Sequence, residues 1–299
     1  MENFILTISF LLIGMGLRRL PQFPDSTAQV LNLFVIYVSL PALVLIKVPE
    51  LVFSRELLVP ALMPWFMLVS SAAAVILISR LNKWDNQTLG ALLLLVPLGN
   101  TSFLGIPMVR AFFGEQGIPY AVLYDQLGSF IGLATYGSLV IALYGQTGDK
   151  PTVASVSRRI ATFPPFISLL AAFGLRSFSY PGPVAILLQT LASTLVPVVM
   201  IAVGYQLTLR LKPEVVRPLS AGLAVKLVLA PCLALLFCRL FGFDTEAARV
   251  AVFEAGMPPM VSAGAMAIMA GLAPELTAAL VGLGIFLSFA TLPLLFQLL

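Results

Sequence analysis

Apolar stretches of about twenty residues, the length that crosses a bilayer as a helix, alternate along the 299-residue chain with short polar connectors. Ten such stretches can be placed, at 3–17, 26–48, 56–80, 86–111, 119–145, 160–178, 183–209, 216–241, 246–270 and 274–299. The pattern predicts an all-α membrane protein of ten spans. The one sizeable polar connector, Gln146 to Arg159 (QTGDKPTVASVSRR), divides the chain into halves at 1–145 and 160–299, with 146–159 between them.

Two of the spans carry the same interruption. Gly99 to Gly114 (GNTSFLGIPMVRAFFG) in span four and Gly256 to Gly271 (GMPPMVSAGAMAIMAG) in span nine are equal in length, and each is interrupted by proline. Proline removes a backbone donor and glycine permits non-helical dihedrals, so both helices should open here. Open backbone at membrane depth survives only against protein or a watery cavity. The bland alternative is an ordinary proline kink, since Pro41, Pro60, Pro64, Pro197 and Pro293 also fall within spans. Two kinks in matching places point instead to a carrier's binding site.

Register supports a duplication. Arg80, Leu81 and Asp85 recur as Arg239, Leu240 and Asp244; Gly99 and Gly114 recur as Gly256 and Gly271; Pro41 recurs as Pro197. The offsets are 159, 157 and 156. Five spans per half is an odd number, so the second half would enter the membrane upside down, as a 5+5 inverted repeat with broken crossover helices at spans four and nine.

Composition fits this solvent. Hydrophobic residues are 60% of the chain and charged residues 10%, with a mean hydropathy of +1.03, far from soluble domains. The pI near 9.2 reflects basic residues scattered one to three at a time through loops, which suits membrane topology and gives no nucleic-acid patch. With the N-terminus outside, the inner loops hold Arg18, Arg19, Arg80, Lys83, Lys150, Arg158, Arg159, Arg210, Lys212 and Arg217; the outer loops hold Lys47, Arg55, Arg110, Arg176, Arg239 and Arg249. The excess inside predicts both termini outside. The first span has no small-residue cleavage site and reads as a retained helix. Cys232 and Cys238 lie on different faces of one span and carry no disulfide or metal signal.

The chemistry concentrates around the breaks. Pro97, Asn100, Thr101, Ser102 and Pro107 surround the first, and Met257, Pro258, Pro259 and Ser262 the second. An opened helix offers half-helix N-termini whose free N–H groups suit a carboxylate, so these residues are the expected substrate contacts. Asp125, Glu254 and Lys226 are ionisable residues within or beside the spans. A charge at the bilayer centre costs at least about 2.5 kcal/mol. Lys226 lies too deep to snorkel easily, and it is expected to pair with Asp125 or Glu254 in coupling. Arg110 reads as an interfacial anchor, and Gly128-x-x-x-Gly132 as a close helix contact. The absence of a G-x-x-x-x-G-K loop argues against an ATP-driven pump. With no histidine in the chain, carboxylate protonation or sodium remain as coupling options, and neither a cofactor nor a metal is expected.

LGNTSFLGIPMV, GMPPMVSAGAMA and the closing LSFATLPLL resemble the auxin efflux carrier family, which includes plant PIN proteins and bacterial organic-anion carriers. The resemblance implies a homodimer in which spans one, two, six and seven form a scaffold. Spans three to five and eight to ten would form a transport domain moving elevator-fashion, with spans four and nine crossing at their prolines. Phe253 to Met257 is also similar to the bile acid:sodium symporters of the same superfamily, whose matching glutamate binds sodium. Their following Gln-Asn is Pro258-Pro259 here, which removes side-chain oxygens. The resulting expectation is a bacterial inner-membrane carrier of small organic anions, rather than an enzyme. The rival readings are a sodium-coupled carrier and a passive anion channel or uniporter.

Overall fold

The computed structural model describes residues 2–51, 54–146, 152–207 and 213–299. Three of the basic residues counted for orientation, Lys150, Arg210 and Lys212, lie outside the described residues, as does 147–151 of the central connector. The described elements are helical, with no β-strand among them. In chain order the rods are α1 (Glu2–Leu17), α2 (Thr27–Glu50), α3 (Arg55–Asn82), α4 (Asn86–Leu95 and Thr101–Phe113), α5 (Glu115–Tyr144), α6 (Pro164–Gly174), α7 (Gly182–Gln206), α8 (Pro213–Leu240), α9 (Glu246–Ala255 and Val261–Met269) and α10 (Pro274–Leu298). Six of them, α2, α3, α5, α7, α8 and α10, are long and apolar enough to cross a membrane. α1, α6 and the first half of α4 are shorter apolar helices, as is Thr101–Phe113.

Span six begins later than the pattern predicts. Val153–Ala161 is a separate helix, closed at its start by a reciprocal Thr152/Ser155 capping box, and none of its residues is buried. The chain then straightens at Phe163 (φ −77°, ψ 117°) because Pro164 follows; proline disfavours helical backbone in the residue before it.

Proline also explains three widened turns. In α2, α4 and α8 a π-helical segment, Val35–Ser39, Thr101–Gly105 and Val225–Leu229 respectively, ends two residues before Pro41, Pro107 or Pro231. In each the residue just before the proline donates five residues back, Leu40 to Val35, Ile106 to Thr101 and Ala230 to Val225. The extra residue in the turn accommodates a ring that would otherwise strike the carbonyl four residues earlier.

Positions that the sequence pattern pairs share a positive φ. Lys83 after α3 and Gly242 after α8 both have positive φ (54° and 70°), as do Gly114 after α4 and Gly271 after α9 (77° and 72°). Asp85 and Asp244 diverge. Asp85 caps α4 by accepting from the Thr88 amide at 2.7 Å, whereas Thr245 caps α9 and Asp244 binds Arg249.

The rods pack in two groups. α7 lies against α1 and α2, and α2 against α6. In the other group α3 packs on α5, α8 and α9, while α10 packs on α4, α8 and α9. The groups meet mainly where α1 and α7 touch the second half of α4 and where α2 touches α5. Two tyrosine hydroxyls fix the ends of the first group: Tyr180 donates to the Leu45 carbonyl at 3.2 Å, and Tyr205 is shared between the Phe23 and Pro24 carbonyls at 3.0 Å. α2 and α7 are therefore antiparallel. Phe4 near the chain start and Phe296 near its end both pack on Phe112 (5.3 and 5.0 Å between centroids), so both chain ends reach the same end of the bundle. The α1–α7 contact is backbone-close: a Cβ on Gly204 would strike the Leu11 carbonyl, and one on Gly14 the Ile201 carbonyl. Small residues at such crossings are how membrane helices approach closely.

Gly204→Ala should therefore force α1 and α7 apart and destabilise the protein by about 1–3 kcal/mol. A thermal melt in detergent measures it, and an unchanged midpoint would contradict the packing.

Candidate functional site

The two breaks touch. Five residues, 96–100, separate the halves of α4, and 256–260 separate those of α9. Gly99 and Pro259 form an antiparallel bridge, in which the Asn100 amide donates to the Pro258 carbonyl at 2.8 Å and the Met260 amide to the Leu98 carbonyl at 3.0 Å. Each break thus supplies what the other lacks. Pro97, Pro258 and Pro259 bring no donors to satisfy, and the donors of Asn100 and Met260 find acceptors across the gap.

The core changes at the same depth in both rods. Leu98 and Met260 belong to one apolar cluster with Leu92–Leu95, Val140 and Leu280, whereas Phe103 and Met257 belong to another with Met108, Val122 and Phe253. Beyond each break a new helix starts. The amides of Thr101, Ser102 and Phe103, and those of Val261, Ser262 and Ala263, have no backbone acceptor among the described residues, as the first turn of a helix leaves them. Two helix N-termini with positive dipole ends thus flank the crossover.

The ionisable residues gather around this point. Asp125 is buried and accepts three hydrogen bonds: Thr101 Oγ1 at 2.6 Å and Ser102 Oγ on one oxygen, Gln126 Nε2 at 2.6 Å on the other. The hydroxyls of Thr101 and Ser102, expected to face substrate, are thereby committed to Asp125. Their backbone amides, not their side chains, are the donors left over.

Lys226 also departs from expectation. It is buried, and its ammonium donates to the Ala255 carbonyl at 3.2 Å instead of pairing with Asp125 or Glu254. The helix ending at Ala255 leaves that carbonyl without an intrahelical donor, which makes it an acceptor for a cation. Gly99 makes room, since a Cβ there would stand 3.1 Å from Lys226 Nζ. Glu254 is fully buried with neither carboxyl oxygen hydrogen-bonded. It lies over the backbone of Gly105, where a Cβ would come within 2.7 Å of Oε1. Asn100 Nδ2 and Gln126 Oε1 are likewise buried and unpartnered.

The other expected contacts separate by exposure. Pro97, Pro107, Met257, Pro258 and Pro259 are buried and shape the backbone, whereas Ser102 and Ser262 retain partial exposure. Ser262 follows Val261, which lines a cavity of about 190 Å³ between α7, α9 and α10, together with Gln206, Gly264, Thr277 and Val281. Gly128 is a packing residue, since its missing Cβ leaves the space taken by Pro64. Arg110 is more than an anchor: it binds Glu115 at 2.6 Å. Gln126 carried no signal of its own in the sequence; it adjoins Asp125, so adjacency was the available pointer.

A family described as Membrane transport protein matches residues 1–296. The chain belongs to that family. This is the auxin efflux carrier family that the motifs resemble. Among its relatives are uncharacterized transporters of Methanocaldococcus jannaschii, 26% identical over 96% of this chain and 94% of the relative, and of Methanothermobacter thermautotrophicus, 26% identical over 98% and 96%. A protein of Rhizobium meliloti named "Putative malonate transporter" is 26% identical over 93% of this chain and 89% of its own length. The family match spans both breaks of the membrane transport protein.

The contact between Glu254 and Gly105 is testable by a double-mutant cycle. Gly105→Ala pushes a methyl group into the carboxyl and should cost about 1–3 kcal/mol of stability. In a Glu254→Ala background the same substitution should cost little. Equal costs in both backgrounds would remove Glu254 from that position.

Proposed function

We propose that this membrane transport protein is a secondary carrier of small organic anions that works by alternating access. The observation that carries the reading is the crossover itself, where two helix N-termini with free amides flank a point inside an apolar bundle. Such a site suits a carboxylate, and broken helices meeting between repeats are the usual build of secondary-carrier sites. In this reading the chain is a 5+5 inverted repeat of ten crossings, with 1–145 and 160–299 as its halves and both termini on the outer side of a bacterial inner membrane. The shared backbone at Lys83 and Gly242, and at Gly114 and Gly271, supports the repeat. The rods α1, α2, α6 and α7 would be the scaffold and would carry the homodimer contact. The remaining six would move against it like an elevator, with the cavity beside Val261 as the route by which an acid reaches the break.

Asn100 is the expected side-chain contact for substrate, because its Nδ2 donor is unpartnered beside the freed amides. Lys226 acts here as a tethered cation: its ammonium occupies the carbonyl of Ala255, where a coupling cation would otherwise add charge. That placement favours sodium-independent transport, driven by protonation of a buried carboxylate or running as uniport. The name of the Rhizobium relative makes malonate the first acid to test, followed by other dicarboxylates, monocarboxylates and indole acids.

Two measurements check the reading. Uptake of radiolabelled acids into proteoliposomes, with and without sodium and pH gradients, should identify at least one acid whose transport ignores sodium. Asn100→Ala should abolish that uptake while expression and melting temperature hold, and normal uptake by the variant would sink the assignment. Lys226→Met should impair transport or make it respond to sodium. A wild type that requires sodium, with Lys226→Met transporting normally, would reduce the lysine to packing.

A further inference from the structure

Four charged side chains lie where the two groups of rods meet, away from the crossover. At the end of α2, Lys47 Nζ is 3.5 Å from Glu50 on its own rod and 3.2 Å from Glu115 at the start of α5. Glu115 is also held by Arg110 at the end of α4, at 2.6 Å. One ion pair, Lys47 to Glu115, therefore joins the α1/α2/α6/α7 group to the six-rod group. Beneath it the seam is closed: Val48 of α2, Leu51 just beyond it and Ile118 of α5 are buried, and the turn Val48–Glu50 packs on α5 and α6. The opposite end of the same seam is open. Gln206 at the far end of α7 lines the 190 Å³ cavity with Val261 and Thr277. The Tyr180 and Tyr205 hydrogen bonds place Lys47 and Gln206 at opposite ends of the bundle.

We propose that Lys47 and Glu115 form an ion-pair latch that closes one end of the seam between the two groups while the other end is open to substrate. The inference rests on the alternating-access reading, which requires the two ends to open in turn. The charge arrangement suits a contact made and broken in every cycle. If the groups part between Lys47 and Glu115, Lys47 keeps Glu50 and Glu115 keeps Arg110, so neither surface is left with an unpaired charge. The Glu115 side chain is 47% exposed and that of Lys47 16%. An ion pair at such a site biases an equilibrium by a factor of about two to five, enough to set a resting state without locking it. Glu115 also stands first in α5, where an acid favours the helix dipole, so either state keeps it in place.

The test uses one reporter, Val48→Cys, in the full-length protein with Cys232→Ser and Cys238→Ala, reconstituted in lipid nanodiscs and alkylated with a soluble maleimide. Val48 is buried under the latch, so labelling reports opening of that end. Glu115→Gln should speed labelling about two- to five-fold. Lys47→Met should do the same, and the double variant no more than either, because both break the same contact between the two groups. Ala265→Trp, bulky in the opposite crevice and holding it open, should slow labelling in every background. Labelling that ignores Glu115→Gln and Lys47→Met but still slows with Ala265→Trp overturns the latch and leaves alternating access standing. Labelling that ignores Ala265→Trp in every background means the two ends are not coupled, and overturns the alternating-access reading and the latch with it.

Discussion

The structure depends on a reciprocal pair of backbone hydrogen bonds, Asn100 to Pro258 and Met260 to Leu98. A bilayer offers no water to an opened helix, and each backbone group left alone at that depth costs several kcal/mol. An isolated break in α4 would be expensive; two breaks set antiparallel satisfy one another. The bridge explains why the two breaks occur together, because an opened segment needs a second one running in the opposite direction to satisfy its backbone. Prolines suit the segment for the same reason, since Pro97, Pro258 and Pro259 reduce the donors to be satisfied.

Three buried ionisable groups then distribute around the bridge with different degrees of satisfaction. Asp125 receives three donors, Lys226 one carbonyl acceptor, and Glu254 no hydrogen bond. Opposite charges in one apolar interior temper each other's cost, but the geometry keeps the ammonium on a backbone carbonyl. The unsatisfied atoms, Glu254 Oε1 and Oε2, Asn100 Nδ2 and Gln126 Oε1, mark where the resting structure leaves its polar capacity unused, which is where ligand or proton chemistry would act in the proposed carrier.

Much of the fold was legible because the relevant signals are local and repeated. Proline and glycine in matching segments located both breaks, and the apolar pattern located the rods. The start of α6 was misplaced because Ile160 and Ala161 continue the apolar run, while Pro164 stops the helix behind it. Side-chain partnerships were less legible. Thr101 and Ser102 face Asp125 only because α5 packs beside the first break, a distance of more than twenty positions in sequence. Lys226 found a carbonyl rather than a carboxylate because a helix end is an acceptor that a residue-type reading does not register. Lys47 and Glu115 gave no signal, since each resembles any interfacial charge until the rods are assembled.

The central claim is that an acid binds where the two breaks cross. A cryo-EM reconstruction in lipid nanodiscs with a transported acid bound tests it most directly. The account predicts density for a carboxylate within hydrogen-bonding distance of the amides of Thr101 to Phe103 or Val261 to Ala263, with the Asn100 side chain turned toward it. Density for the acid elsewhere in the bundle, with the bridge between Gly99 and Pro259 unaltered and Asn100 still unpartnered, would contradict it.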